Sequence, residues 1–469
     1  MTNEIPLSTP RRLALSQAHL RNSALFIVSV LAVFLVQPAT PIRQLDFWLP
    51  FATLGITLIV WAGAGGEWPL KRGTLADAAV IAGIVLMIAA LRYIDPLSAI
   101  ITRSRPPDIL TVSLALGVVA ALALASLHSI GPKPARTVIL VVLLIALLVI
   151  LKWEPLTRNL SAGLRALQSQ SVASASAFDI RWLGFSYIAF RLIGSLRDRA
   201  AGKLPAMTLR EFITFVVFFP ALISGPIDRA DRFVKDLRAP FAFNLADATE
   251  GARRIAIGAF KKFVLADALA LIALNEMNAR QVFPGGWAWL LLYAFTLRIF
   301  FDFAGYTDIA LGVARFFGIK LPENFRNPYL KSNLTQFWNS WHISLTQWIR
   351  AYYFNPLTRA LRQRNVSMVA IIFVSQITTM LVIGLWHGIT PNFVIWGLWH
   401  GVGLFVHNRW SDFVKSRLAI PPERANLQRA MNIAGIVITF NFVALGWVWF
   451  ALPTTTLALT VFQKLFGIG

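Results

Sequence analysis

The chain has no cysteine among its 469 residues, and it has few charged side chains for its length. Without a thiol it cannot form a disulfide, a thiolate metal site or a cysteine nucleophile. Charged residues make up 14% of the chain, whereas a soluble globular protein has about 25%. Hydrophobic residues make up 57%. So little charge cannot cover a water-facing surface, and the composition therefore predicts a membrane protein.

Acidic residues are the scarcer charged class. There are 22 Asp and Glu against 44 Lys and Arg, which gives a formal net charge of +22. Such a charge often indicates nucleic-acid binding. Here the basic residues lie in short loops between apolar runs, which is the pattern of positive-inside topology and of contact with anionic lipids. We therefore expect membrane lipids as partners and no nucleic acid; an acidic or phosphate-bearing donor would also suit these loops.

Apolar runs long enough to cross a bilayer, roughly 17–25 residues, recur along the whole chain. We predict spans near 22–38, 46–63, 76–93, 109–128, 136–152, 180–196, 210–226, 254–275, 286–305, 367–387, 391–407 and 431–452. Basic loops on both sides of 210–226 predict that this segment enters the membrane and returns. The stretches 305–318 and 334–351 are too polar to face lipid, so we expect re-entrant or interfacial pieces there. The predicted fold class is all-α and polytopic, with about 11–14 helices and re-entrant segments.

The character of the chain changes near residue 170. Residues 1–21 are polar and predict a cytoplasmic tail before a retained first span. Residues 22–170 form five bland apolar spans, which we interpret as a transmembrane scaffold. Residues 171–410 are the predicted catalytic core, because their apolar runs contain histidines and charged side chains. A charged side chain costs about 2.5–3.5 kcal/mol at a membrane centre and therefore needs a polar cavity or a partner. Residues 411–469 would form a loop and a last transmembrane helix.

Two histidines belong to a Leu-Trp-His-Gly sequence that occurs twice in the stretch "GLWHGITPNFVIWGLWHG" (384–401). His387 ends a long apolar run, where burial disfavours the imidazolium, so we expect a neutral ring that can act as a general base toward a hydroxyl. Gly384 and Gly388 would leave room for a substrate beside it. A proline between His387 and His400 places them on successive helices that can meet side by side. A core histidine bonded to a backbone carbonyl is the alternative for His387.

A third histidine lies in "LTQFWNSWHISLTQWIRAYYFNPL" (334–357), a stretch that is both polar and aromatic, as the wall of a cavity would be. At helical spacing Trp338, His342 and Thr346 share one face. An interfacial amphipathic helix with Trp and Arg anchors is the alternative. The sequence contains no HxxxH or HExxH pattern, so we predict no metal site.

Charged residues within the apolar runs predict local ion pairs. We expect pairs of Arg298 with Asp302, of Asp228 with Arg229, and of Lys261 and Lys262 with Asp267. Gly305 lies between two aspartates and predicts a break in its helix.

Five motifs occur in a fixed order between residues 180 and 410. They are "FFPALISGPIDR", "FKKFVLAD", "FDFAGYTDIALGVARFFGIKLPENFRNPY", "FWNSWHISLTQWIRAYYFNPL" and "LVIGLWHG". Together they resemble the membrane-bound O-acyltransferase family, and specifically its bacterial branch of alginate O-acetyltransferase and teichoic-acid D-alanyl transferase. The match covers about half of the chain.

The resemblance implies a ring of helices around a central tunnel that links a cytoplasmic donor to an external acceptor. It implies that His387 is the catalytic histidine, that His342 is the second histidine of the tunnel, and that Trp338 is the first tryptophan of its motif. The predicted catalytic residues are therefore His387 and His342. The predicted substrate contacts are Trp338, Trp341, Thr346, Asn339, Trp386 and His400.

We therefore predict an enzyme that moves an acetyl or D-alanyl group to a hydroxyl on an extracytoplasmic polysaccharide or envelope polymer. No bound cofactor is expected; the co-substrate would be a thioester of acyl carrier protein or CoA. Expected partners are a carrier or acetyl donor on the cytoplasmic side and a periplasmic acyltransferase or small relay membrane protein, at the bacterial inner membrane. The alternative is a polytopic transporter or flippase of a lipid- or glycan-linked substrate, which would form no ester.

Overall fold

The computed structural model describes residues 9–66, 70–94, 102–128, 134–281, 285–417 and 425–468. Within these ranges the regular structure is helical, and the one strand-like pairing is a single antiparallel bridge between Phe325 and Trp341. The all-α prediction is therefore confirmed for the described residues. The chain forms two compact units, one of residues 1–253 with 310–321 and one of residues 254–309 with 322–469.

The first unit contains nine helices over its described residues and the start of a tenth. They are α1 Thr9–Leu35, α2 Leu45–Gly63, α3 Arg72–Ala90, α4 Ile109–His128, α5 Pro134–Lys152, α6 Glu154–Leu167, α7 Phe185–Ala200, α8 Leu209–Val216, α9 Ala230–Arg238 and α10 Leu245–Ala259. Helices α4 and α5 are continuous runs of Leu, Val, Ala and Ile that bury few of their side chains. Their apolar surfaces suit contact with lipid on most sides.

The second unit begins within α10, at residue 254, and contains the remaining helices except for the end of α13, residues 310–316. They are α11 Asp267–Ala270, α12 Glu276–Gln281, α13 Gly286–Phe316, α14 Leu334–Trp338, α15 Ile343–Ile349, α16 Asn355–Gln363, α17 Met368–His387, α18 Pro391–Arg417, α19 Ala425–Ala451 and α20 Thr455–Phe466. Two π-helical turns, Phe260–Ala266 and Arg350–Phe354, join α10 to α11 and α15 to α16. The described helices outnumber the predicted 11–14 because several segments break into short pieces.

Eight described helices are long and apolar enough to cross a membrane. Their spans are Ser16–Leu35, Leu45–Gly63, Arg72–Tyr93, Ile109–His128, Ala135–Lys152, Gly286–Phe316, Met368–His387 and Asn426–Ala451. They coincide with eight of the twelve predicted spans, so the prediction of a multi-pass membrane protein is supported by length and composition. The other four predicted spans are short, interrupted or less apolar.

The predicted entering and returning segment, 210–226, is not a spanning helix. It forms α8, which has eight residues, and a single 3-10 turn, Phe219–Ala221. The buried Arg191 holds this break, because its guanidinium donates to the carbonyl oxygens of Val216 at 2.7 Å and Ala221 at 2.6 Å. Two backbone oxygens that no helix satisfies are thus bonded inside the protein, as irregular backbone at this depth requires.

Helices α17 and α18 form a tight hairpin joined by three residues, 388–390. A Cβ atom on Gly384 would lie 2.3 Å from the Phe393 oxygen, and one on Gly397 would lie 2.8 Å from the Met380 oxygen. The two backbones are therefore in contact, which only glycine permits at these positions. The expectation that Gly384 and Gly388 leave room for a substrate is wrong, because Phe393 fills both spaces.

A second close crossing lies between α10 and α13. A Cβ atom on Gly258 would lie 2.6 Å from the Gly305 oxygen, and one on Gly305 would lie 2.7 Å from the Gly258 oxygen. Helix α13 runs unbroken through Gly305, so the predicted break is wrong. The glycine serves helix contact and not a bend.

The α10–α13 crossing also changes the predicted ion pairs. Asp302 pairs with Lys262, and the carboxylate of Asp308 accepts from Lys261 at 2.7 Å and Arg254 at 3.3 Å. The predicted pairs of Asp302 with Arg298, and of the two lysines with Asp267, are therefore wrong. The partners lie on neighbouring helices, which bring residues about 40 positions apart into contact.

The third predicted ion pair is also wrong. Asp228 pairs with the guanidinium of Arg232, and it accepts a hydrogen bond from the backbone N–H of Arg229, not from its side chain. The Arg229 side chain pairs with Asp231 at 3.1 Å and with Asp198 at 3.7 Å. Because α9 begins at Ala230, the i,i+4 geometry places Arg232 over the carboxylate.

We expect Gly258→Ala to destabilise the protein, because the new methyl group would overlap a backbone oxygen of α13. Overpacking of this kind typically costs about 1–3 kcal/mol. Thermal unfolding in detergent would show it as a lower Tm. The matched control is Gly117→Ala in α4, where a Cβ atom meets nothing within 4 Å, and where alanine should leave the Tm equal or higher. An unchanged Tm for Gly258→Ala would contradict the crossing.

Candidate functional site

His387 is the last residue of α17 and lies half-buried within four aromatic rings. Its ring centroid is 4.6 Å from that of Trp386 and 4.8 Å from that of Phe450. Trp396 and Phe393, both on α18, lie at 5.6 Å and 5.9 Å. The imidazole is therefore placed by the α17–α18 hairpin and by the end of α19, in largely apolar surroundings.

His342 lies where the chain breaks between α14 and α15. It has a left-handed backbone conformation, with φ 43° and ψ 53°, and it precedes the first residue of α15. The Phe325–Trp341 bridge and the bond from the N–H of Ile343 to the Asn324 oxygen, 3.0 Å, hold the break. The prediction of one helical face through residues 338, 342 and 346 is therefore wrong, since residues 339–342 leave the helix to pair with an earlier loop.

Asn324 fixes the turn that positions His342. It is fully buried, and its Oδ1 accepts from the Ser344 hydroxyl at 2.6 Å and from the Ser344 backbone N–H at 3.2 Å. The sequence analysis missed this residue. Its only signal was its place in the quoted motif "LPENFRNPY", where a polar residue of a loop bonds to a helix start 20 positions later.

The imidazole of His342 is buried and lies edge-on to the ring of Phe303, with centroids 4.7 Å apart. His342 is outside the eight candidate spans. Burial lowers the pKa of His342 to about 3, because desolvation disfavours the imidazolium. The ring is therefore neutral at physiological pH. It also contacts Trp386, at 6.3 Å between centroids, and Trp386 contacts His387. The structure thus brings the two predicted catalytic histidines into contact with the same tryptophan.

His400 is fully buried on α18. Its ring centroid lies 4.9 Å from that of Trp396 and 5.2 Å from that of Trp338. The prediction that these histidines lie on successive helices that meet side by side is confirmed, and Trp396 contacts both rings. Neither ring nitrogen of His400 has a hydrogen-bond partner among the residues that the structure describes. Trp396 was missed as a site residue, although it stands four positions before His400 in the repeated motif.

A cavity of about 270 Å³ adjoins this cluster. Three predicted substrate contacts line it, namely Trp338, Asn339 and Thr346. Other polar groups of its lining are Thr335, Arg350, Gln376 and Thr379. No histidine is part of the lining; Trp338 both lines the cavity and contacts His400. At the mouth the exposed Arg350 donates to Asn339 Oδ1 at 2.7 Å.

Trp341 lies away from the cavity, in an aromatic core. Its ring contacts those of Phe325 at 5.1 Å, Trp447 at 5.2 Å and Tyr329 at 5.6 Å. Trp386 is also absent from the cavity lining and contacts both His342 and His387. In the part of the chain with described coordinates, no group of three His, Asp or Glu side chains is close enough to hold a metal ion.

Sequence comparison relates this chain to known proteins. Residues 117–449, well over half of the chain, match the family model described as "MBOAT, membrane-bound O-acyltransferase family". A teichoic acid D-alanyltransferase of Streptococcus thermophilus is 35% identical over 292 residues, which cover 58% of this chain and 68% of that protein. The family match, residues 117–449, contains His342, His387, Trp386, Trp338 and His400.

Two further relatives act on other polymers according to their names. A probable alginate O-acetylase AlgI of Pseudomonas syringae is 34% identical over 292 residues, which cover 61% of this chain and 52% of that protein. A peptidoglycan O-acetyltransferase of Helicobacter pylori is 34% identical over 262 residues, which cover 55% of this chain and 47% of that protein. The chain thus spans about half the length of these two relatives.

We expect Asn324→Ala to loosen the turn at His342. The change leaves the buried Ser344 N–H without its acceptor, which costs about 1–3 kcal/mol. Hydrogen exchange measured by mass spectrometry should speed up in peptides that contain residues 340–346. Ser344→Ala is the matched control, since it removes the hydroxyl bond but keeps the N–H bond to Asn324. Exchange in Asn324→Ala no faster than in Ser344→Ala would show that Asn324 does not hold the turn.

Proposed function

The chain belongs to the membrane-bound O-acyltransferase family, and from this premise we propose that it transfers an acyl group from a thioester on the cytoplasmic side to a hydroxyl of an extracytoplasmic envelope polymer. The proposal includes a place in the bacterial cytoplasmic membrane, and a carrier protein or acyl-CoA as donor. The observation that supports it best is that His342 and His387 both contact Trp386, within the matched residues.

In the proposed reaction His387 is the general base. The acceptor hydroxyl attacks the acyl carbon, His387 takes the hydroxyl proton, the C–S bond breaks as the C–O ester bond forms, and the proton passes to the departing thiolate. Atoms and charge balance, and no cofactor is consumed. The half-buried position of His387 supports this role. The ring remains accessible, and its aromatic neighbours limit the access of water to it. A positioned base contributes roughly a hundred- to ten-thousandfold in rate.

His342 has a different proposed part, as a neutral donor. A buried, uncharged imidazole has one N–H, which can stabilise negative charge that develops on the acyl oxygen. The Asn324 contacts and the left-handed backbone hold this ring in place before the substrate arrives. Positioning in advance is what such stabilisation needs, since no reorganisation is then required during the reaction.

The 270 Å³ cavity is the proposed place for part of the substrate next to the histidines. Its lining combines Trp338 and Ile383 with polar side chains such as Gln376 and Thr379, which suits a molecule with both apolar and hydrogen-bonding parts. Arg350 at the mouth would attract an anionic donor or an acidic carrier. Trp338 would exclude water from the reacting thioester and so suppress its hydrolysis.

We expect His387→Ala to lower acyl transfer at least about a hundredfold, because the variant has no base for the hydroxyl proton. The measurement is a single turnover with labelled acyl thioester, scored as label covalently bound to envelope polymer. Covalent label also separates acyl transfer from transport of the substrate. His128→Ala, at the exposed end of α4, is the control and should keep the wild-type rate. A wild-type rate in His387→Ala would end the assignment.

We expect His342→Asn to slow transfer at least about tenfold with little change in Tm. Asparagine tolerates the left-handed conformation of this position, so the variant removes the imidazole but not the turn. His342→Ala should lower both the rate and the Tm, because alanine is strained at φ 43°. If His342→Asn transferred at the wild-type rate, the residue would serve the backbone alone.

A further inference from the structure

The surroundings of His387 limit the charge of the group that can be transferred there. We infer that this site takes an uncharged acyl group of the acetyl class and rejects aminoacyl groups such as D-alanyl. The inference rests on the proposed function, because it concerns the acyl group that reacts beside His387.

The position of the acyl group follows from the reaction. The carbonyl carbon must come within reach of the hydroxyl that His387 deprotonates, so the groups attached to the neighbouring carbon, two bonds from the carbonyl carbon, lie against the walls around that ring. Those walls are the rings of Trp386, Phe393, Trp396 and Phe450, at centroid distances of 4.6 to 5.9 Å from His387. In a D-alanyl group the ammonium would occupy this position.

The segments that supply these walls contain no carboxylate to pair with an ammonium. Residues 324–411 and 424–469, which supply all four rings and both histidines, contain no aspartate or glutamate. The carboxylates that precede them are already paired: Asp302 with Lys262, Asp308 with Lys261, and Glu323 with Arg254. A buried ammonium without a counter-charge is strongly disfavoured.

The hydrogen-bonding groups of the walls point to the same conclusion. An ammonium has three N–H donors and needs acceptors. Phe393 and Phe450 have no polar atom, and the indole N–H of Trp396 is itself a donor. Attraction of a cation to the ring faces is weaker than the hydration that a buried ammonium loses. A methyl group in the same position needs neither acceptors nor a counter-charge.

Arg350, in the lining of the cavity proposed for the substrate, would repel an ammonium group. Its guanidinium lines the mouth of the cavity and donates to Asn339, and among the described side chains no carboxylate pairs with it. A free positive charge there opposes an approaching cation and favours an anionic carrier. The positive charge of Arg350 therefore favours an anionic donor and disfavours a cationic acyl group.

The test uses the full-length protein in native membranes, with labelled acyl groups on one thiol, coenzyme A, and transfer to envelope polymer as the readout. Isobutyryl has the shape of D-alanyl, with a methyl group in place of the ammonium. We expect acetyl and isobutyryl to be transferred at rates within about tenfold of each other. D-alanyl should be transferred about tenfold more slowly than isobutyryl at pH 7, because about a tenth of its α-amino group is uncharged there. Because α-amino groups lose their proton near pH 8, D-alanyl transfer should rise between pH 7 and pH 9.

Three results have distinct meanings. Equal transfer of D-alanyl and isobutyryl at pH 7 overturns the inference and leaves the proposed function intact. Equal rejection of both, with no rise at pH 9, also overturns it, because size and not charge would then discriminate. If no acyl group is transferred from CoA or from a loaded carrier protein, the proposed function itself fails.

A variant provides an independent readout. Phe450→Asp places a carboxylate in the wall beside His387, and the ratio of D-alanyl to isobutyryl transfer should rise at least tenfold. Phe450→Asn is the matched neutral control and should leave that ratio unchanged. The ratio does not depend on how far either variant lowers the overall rate. An equal ratio in the two variants would contradict the charge argument.

Discussion

The constraint on which this structure depends is the cost of placing a charge in apolar surroundings. Lys261, Lys262 and Arg254 are each bound to a carboxylate, and the pairs form where α10 crosses α13 at two glycines. Arg191, which is buried, is bound to backbone oxygens left open by the end of α8. The charges of these segments are thus used to join helices. The histidines are different, because a neutral imidazole can be buried without a counter-charge.

This difference explains how the candidate site is built. Its core is a set of rings in which histidines contact tryptophans: Trp386 contacts both His342 and His387, and Trp396 contacts both His387 and His400. Aromatic walls exclude water and hold the imidazoles by packing. The polar groups of the site lie outside these rings. They are Asn324, which bonds to the turn at His342, and the polar side chains that line the cavity. The histidine rings are therefore held by packing, with few charged side chains in the site.

Much of this arrangement could be predicted from sequence, and the exceptions have physical reasons. Periodic apolar runs identified eight of the spans, and the short spacing between His387 and His400 predicted helices that meet. The partners of Asp302 and Asp308 could not be predicted, because pairing rules along one helix do not reveal a neighbouring helix 40 residues away. Gly305 was expected to break α13. Its lack of a side chain instead allows the backbone of α13 to contact that of α10 at Gly258. The break at His342 was hidden because its cause, Asn324, lies in another segment.

The three-residue connection between α17 and α18 has a consequence for how the protein is made. Contacts between segments so close in the chain cost little loop-closure entropy, so this hairpin can assemble soon after its second helix leaves the ribosome. Two helices whose backbones touch at Gly384 and Gly397 can enter the bilayer as one body. The rings of Phe393 and Trp396 would then enclose His387 during biogenesis, and Phe450 would complete the enclosure only when α19 arrives.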